Sequence, residues 1–300
     1  MQREKGLDIR VKQQLRKPVI FCDLINGGLF CGEQRLHPEM LQRMPEILNY
    51  SEEQTERECR SYERIPDVVY AAGAGEGYLV LMDENQNCTD YAMPLRNMFD
   101  TAIAYMQQKK TIEKAHKEAK NLKTGGEYLS GFAKQDRLHP VIFLTFYHGE
   151  EPWKGGSSLH DILKFPEGLE DMKQFCPDFR MNLIHAWNVN PENFRTGLRA
   201  VFEHTEHFGN LTEEECDLLE VFIGMKKLGK GERETYRNEN GGYNMCTALM
   251  DIREEGIAAG ESALSKLARL MQADGREKEF FECCGNDKKR KKLYKEYGII

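Results

Sequence analysis

The chain has 300 residues, and its 42 Lys and Arg against 49 Asp and Glu give a formal net charge of −7. With 40% hydrophobic and 30% charged residues it can bury a core beneath a heavily charged surface, which excludes a disordered chain. The longest uncharged apolar run, 141–147, is far shorter than the roughly 20 residues of a membrane span, and MQREKGLDIR at the N-terminus holds no apolar secretory core.

Pro18–Cys31, PVIFCDLINGGLFC, reads as a short helix ending near Gly27–Gly28, with the acid Asp23 inside it. His37–Pro38–Glu39 opens a second short helix over 40–48. Two strands follow, Ile65–Ala71 and Tyr78–Gln86, joined by AGAGEG, so the pair reads as a hairpin. Those glycines do not make a dinucleotide fingerprint, because a strand and not a helix follows them. Ala92–Lys110 is a helix with Pro94 in its first turn, continuing to about Leu122 and broken by Gly125–Gly126. VIFLTFY at 141–147 is a buried strand, and Asn182–Ala186 another. From Pro191 onward only helices are expected, over 194–208, 212–225, 243–259, 261–273 and 277–297, the last broken near Gly285. The expected domains are therefore a mixed core, 1–190, and a helical region, 191–300.

Nine cysteines without a C-x-x-C pair suit reduced thiols and a cytoplasmic location better than a disulfide framework. Charge is uneven. Residues 33–63 carry a net −4, whereas 109–137 and 286–300 each carry +4. An acidic total argues against a simple nucleic-acid coat protein but not against a nucleic-acid enzyme with a local cationic face.

The chemistry converges on the hairpin. In an antiparallel pair the start of the first strand lies beside the end of the second, so Asp67 and Glu84 can meet, and Gln86 shares a face with Glu84. Two such carboxylates form a hard-oxygen site suited to Mg²⁺, which can polarise a phosphodiester. The plainer reading is two solvated acids. The helix from Ala92 starts close behind and would present Arg96 and Gln108 beside them, ahead of Lys109 and Lys110.

PDVV at 66–69, LVLMDENQ at 79–86 and TDYAMPLRNMFDTAIAYMQQ at 89–108 together resemble the recombination-promoting nuclease / putative transposase family, a branch of the PD-(D/E)xK nuclease superfamily. Residues 128–163, 245–261 and 291–298 extend the resemblance, which runs over roughly 18–300. It implies an α/β fold, a restriction-endonuclease-like mixed sheet flanked by helices and followed by an all-helical C-terminal region. It also implies a divalent-metal DNA endonuclease, with Asp67 and Glu84 on Mg²⁺ or Mn²⁺ and Gln86 where many relatives carry Lys. Asp23 stands where the superfamily often places a third ligand, or is an ordinary helix acid. Two departures are that Arg64 lies three residues before Asp67, and that position 83, usually apolar, is Asp83, directed to the core side.

Beside the nuclease stand a nucleic-acid-binding or protein-interaction module with a decayed site, and a homo-oligomeric scaffold built through the C-terminal helices. His204 and His207 have the spacing of two metal ligands without a third. Trp153 either stacks on a base or anchors its loop, and KKRKKLYK at 288–295 either contacts phosphates or is a solvated helix face.

Overall fold

The computed structural model describes the backbone of residues 2–46, 48–55, 58–74, 77–149, 151–203, 208–225 and 227–299, with side chains there except at 2–8, 48–55, 58–64, 74 and 77. His204 and His207 lie outside the described residues. The chain divides into two compact units, Met1–His204 with Thr212–Leu228, and Thr205–Leu211 with Gly229–Ile300. The unit that holds the sheet thus extends past residue 190 and takes in a helix from beyond residue 211.

The first unit begins with helices α1 (Gln2–Leu15) and α2 (Pro18–Leu29). Strands β1 (Leu41–Arg43), β2 (Leu48–Thr55), β3 (Glu58–Arg64), β4 (Val68–Ala74) and β5 (Gly77–Gln86) come next. Then follow α3 (Met93–Ala119), α4 (Gly125–Ser130), β6 (Val141–Tyr147), β7 (Asn182–Ile184), α5 (Leu198–Phe202) and α6 (Glu213–Phe222). A five-stranded mixed sheet has the order β1-β4-β5-β6-β7, and β2 pairs with β3 apart from it. β1–β4 and β4–β5 are antiparallel, while β5–β6 and β6–β7 are parallel. The change of direction at β5 follows from its connections, since a short turn returns the chain antiparallel and a helix such as α3 carries it back parallel.

Strand alternation sorts the core into two layers. Val68, Tyr70, Leu81, Leu144 and Phe146 face α1, α2, α5 and α6, meeting Val11, Leu15, Phe21, Leu198 and Phe222. Val69, Val80, Met82 and Phe143 face α3 at Ile103 and Ala104. α2 runs through Gly27 and Gly28 without ending there, because they serve packing. A Cβ on Gly27 would strike the Phe194 ring, and one on Gly28 the Ile184 side chain.

Several expectations are corrected. The helix over 40–48 is absent; Pro38–Met40 forms one 3-10 turn and Leu41–Arg43 joins β4. Pro45 cannot donate within so short a helix, and β4 offers an edge. Gly125–Gly126 opens α4 as well as following the α3 stop, because Thr124 and Glu127 form a capping box in front of them. Of the helix expected over 194–208, residues 204–207 lie outside the described residues; before them it is confined to Leu198–Phe202 and starts late because Asp23 captures the amides of Arg195 and Thr196. α1 and the β2–β3 pair were not anticipated.

The second unit comprises α7 (Lys230–Glu234), α8 (Met245–Ala273), α9 (Glu277–Cys284) and α10 (Asp287–Glu296). The helices expected over 243–259 and 261–273 are one, α8, because an interior Gly costs about 1 kcal/mol and does not by itself end a helix. Leu267 and Met271 of α8 pack with Cys283 and Leu293.

Candidate functional site

The β4–β5 ladder ends at Val68 opposite Asp83, which leaves Asp67 one residue before β4 and beside the 83–85 end of β5. Asp67 donates its main-chain N–H to the Asp83 carbonyl at 2.9 Å. Its carboxylate then continues the ladder. Oδ2 accepts from the Asn85 main-chain N–H at 2.9 Å and from Asn85 Nδ2 at 3.2 Å. Oδ1 lies 3.3 Å from Lys12 Nζ of α1. Lys12 also approaches Glu46 at 3.8 Å, and Arg16 and Arg43 pair with that same carboxylate.

Glu84 is buried, on the face toward α3, where Arg96 holds its Oε1 in a charge-assisted hydrogen bond. Gln86 Nε2 donates to the same oxygen at 3.4 Å. The two expected acids lie at the same end of the hairpin, and their anchors differ: α1 for Asp67 and α3 for Glu84. Each carboxylate faces a protein cation.

Asp83 projects to the opposite face and is completely buried, with neither oxygen in a hydrogen bond of normal geometry. Burial, then the negative charges of Asp67 and Glu84, push its pKa well above the usual carboxylate range, against the smaller pull of the Glu84 amide and the Asn85 side chain. Burial thus favours the protonated, neutral form of this acid. On the same face as Asp83, Asn85 Oδ1 is also buried without a partner, and on the opposite face so are Arg96 Nε, Asn97 Oδ1 and Thr101 Oγ1 of α3. Asn97 spends its amide on Thr145 Oγ1 of β6, at 2.8 Å. The ends of β5 and β6 and the first turns of α3 thus enclose a buried polar layer.

The remaining expected residues are placed elsewhere. Both Asp23 oxygens are committed: Arg195 N donates to Oδ1 at 2.9 Å, and Thr196 N and Oγ1 donate to Oδ2 at 2.8 and 2.6 Å. Asp23 anchors the chain leading into α5, and among the described residues no group of three or more His, Cys, Asp or Glu could hold a metal ion. Gln108 clamps the main chain of His139, accepting from its N–H at 2.7 Å and donating to its carbonyl at 3.1 Å. Lys109 pairs with Glu113 at 3.4 Å, and Lys110 is exposed. Trp153 packs its ring edge-on against Tyr147, at 5.2 Å between centroids, and donates to Gly156 O, the loop-anchoring arrangement. In the tail, Lys289 pairs with Glu282 and Arg290 with Asp287.

Sequence reasoning missed Lys12 and Glu46. The only signal for Lys12 was the apolar pair Val11 and Leu15 of α1, and Glu46 was one acid in an acid-rich stretch. His148, one residue beyond β6, opens the polar stretch that leads to Trp153, and its burial was not anticipated. This imidazole packs against Phe146 and Phe222, with ring centroids 5.8 Å from each, and burial lowers its pKa to about 4. A cavity of about 640 Å³ opens beside it at the C-terminal ends of β5 and β6.

The family profile described as putative transposase, YhgA-like, matches residues 52–207, just over half of the chain. The match contains β4, β5, α3, β6 and β7, and with them the hairpin acids, and the chain belongs to this family. Membership associates it with the functions of mobile elements. No curated protein and no solved structure matches it. Among the described residues no helix is long and apolar enough to cross a membrane.

Proposed function

We propose that the chain is a divalent-metal-dependent DNA endonuclease, with Asp67 and Glu84 as the metal-binding carboxylates. The observation that supports this reading is the hairpin, which brings Asp67, one residue before β4, and Glu84 of β5 to the same end of the sheet. The donor set fits Mg²⁺ or Mn²⁺. Mg²⁺ commonly takes only one or two carboxylates together with water and phosphate oxygens, so a third acid is not required. The unpartnered buried oxygens of Asn97 and Thr101 show that this sector has hydrogen-bonding capacity to spare. When bound, the ion would offset charge on a backbone phosphate and lower the pKa of a water ligand.

The chain's own residues do the positioning. Asn85 fixes the Asp67 carboxylate through two hydrogen bonds. Arg96 holds Glu84 in one orientation and, on release, offers a guanidinium to a phosphate. Gln86 supplies a dipole at the position where a lysine would supply charge, and it can orient a water or a phosphate oxygen. Lys12 gives the charge balance on the α1 side.

The test is nicking of supercoiled plasmid in Mg²⁺, with Mn²⁺ and Ca²⁺ in parallel. The parent should nick, and Glu84→Ala should lose at least about a hundredfold in rate. Equal rates for the two proteins would sink the reading. One observation favours a second reading, a DNA-binding module with a decayed site: both acids already carry protein cations, and Asp83 stands buried between them in the sequence. Calorimetry separates the two, since DNA affinity without Mg²⁺ or Mn²⁺ binding would select the binding module.

A further inference from the structure

We propose that the cavity at the C-terminal ends of β5 and β6 receives an unpaired nucleobase next to the phosphate held at the hairpin, so that the preferred substrate is DNA with single-stranded character. This rests on the nucleic-acid reading of the site above.

Position is the first argument. In open α/β sheets ligands bind in the crevice outside the carboxyl ends of the parallel strands. β5 and β6 are such strands, and the cavity begins at Asn87, one residue beyond Gln86. At about 3.3 Å per residue, Asn87 lies about 10 Å along the strand from Glu84, within the span of one nucleotide and its neighbour.

The lining is the second argument. Phe202 and Phe222 give it aromatic walls, and Tyr91, 65% exposed, stands at its rim. A cavity serving only apolar side chains would need no more. This one also presents Asn87, Thr89 and His148. A neutral imidazole offers one donor and one acceptor, and an amide offers both kinds, which matches the mixed edge of a base. Lys154 lies at the rim, paired with Glu151 on the surface. An exposed pair of that kind is weak enough to exchange for a phosphate.

Size is the third. About 640 Å³ exceeds what a single base occupies and falls within the range of small-ligand sites, so the base can enter with its sugar. A duplex base pair is held in its stack and cannot present its edge here, whereas an unstacked base can.

The test uses the full chain and oligonucleotides carrying one 2-aminopurine, in EDTA so that no cleavage intervenes. Single strands and flapped duplexes should bind at least about tenfold tighter than the blunt duplex and should show the fluorescence change of a base entering a protein pocket. Tyr91→Ala, a change at an exposed position, should weaken single-strand binding about 5- to 150-fold. Val201→Trp, which fills the cavity, should abolish the fluorescence change, with circular dichroism confirming that both variants fold. Equal affinity for single-stranded and blunt DNA would overturn the proposal, and so would an unchanged signal in both variants. Binding of an apolar peptide in preference to the single strand would also overturn it, in favour of a protein partner. The outcome is separable from the nuclease reading, because a parent that fails to nick plasmid in Mg²⁺ still reports base entry in EDTA.

Discussion

Replacing Asp83 by Asn tests the electrostatics of the hairpin most directly. The side chain is completely buried, neither of its oxygens has a hydrogen bond of normal geometry, and its pKa is raised well above the ordinary value of 3.8. In the unfolded chain the acid loses its proton near that ordinary value; in the native protein it keeps it. Between the two pKa values the native state therefore binds one more proton than the unfolded state, and stability falls as pH rises. The slope is about 1.4 kcal/mol per pH unit for one proton. The contribution is fully present below the unfolded pKa and is lost as pH climbs toward the raised native one. Asn preserves shape and cannot titrate. Urea unfolding of parent and Asp83→Asn at half-unit steps from pH 4.5 upward should show the variant gaining on the parent by about 1.4 kcal/mol per unit, until Asp83 ionises in the native state. All other titrating groups are common to both proteins and cancel to first order in the difference. A flat difference would refute the assignment of a buried protonated acid and would mean that Asp83 is charged and compensated.

Two more predictions concern His148 and Asp23, whose local partners the structure gives. His148, with its pKa lowered to about 4 by burial, is neutral in the native state while the unfolded imidazole still binds a proton below about 6.5. Its contribution to stability is present above pH 6.5 and is lost as pH falls toward 4. Its NMR ring resonances should show no titration above pH 5, and a midpoint near 6.5 would contradict the packing between Phe146 and Phe222. Asp23→Ala should cost about 2–5 kcal/mol in urea unfolding, because it strands the amides of Arg195 and Thr196, and should leave Mg²⁺ affinity unaltered. Stability within 0.5 kcal/mol of the parent, or loss of Mg²⁺ binding without loss of stability, would return Asp23 to the role of a ligand.

Most of the core sheet was legible because its strands announce themselves. VIFLTFY is a continuous apolar run of the kind that parallel strands buried on both faces require, and it forms β6. The two strands around AGAGEG form the β4–β5 hairpin for the same local reason. What escaped was set by partners distant in sequence. β1 exists because β4 offers an edge, and α5 begins late because Asp23, 172 residues before Arg195, takes the amides that would have started it. Glycine carried an ambiguous signal: Gly27 and Gly28 looked like a stop, yet they are the close contact between α2 and the residues Phe194 and Ile184.

The same division holds for the site. Sequence alone determined which acids lie at the hairpin end and that Asp83 turns to the buried side, since both follow from antiparallel pairing and the two-residue alternation of a strand. Tertiary structure decided what those acids meet. Lys12 reaches Asp67 across 55 residues, Arg96 closes on Glu84 from α3, and Asp23 is drawn away to the start of α5. Periodicity fixes the face a side chain occupies. Its ionisation and its partners depend on which helices fold over that face, and no pattern within one strand encodes them.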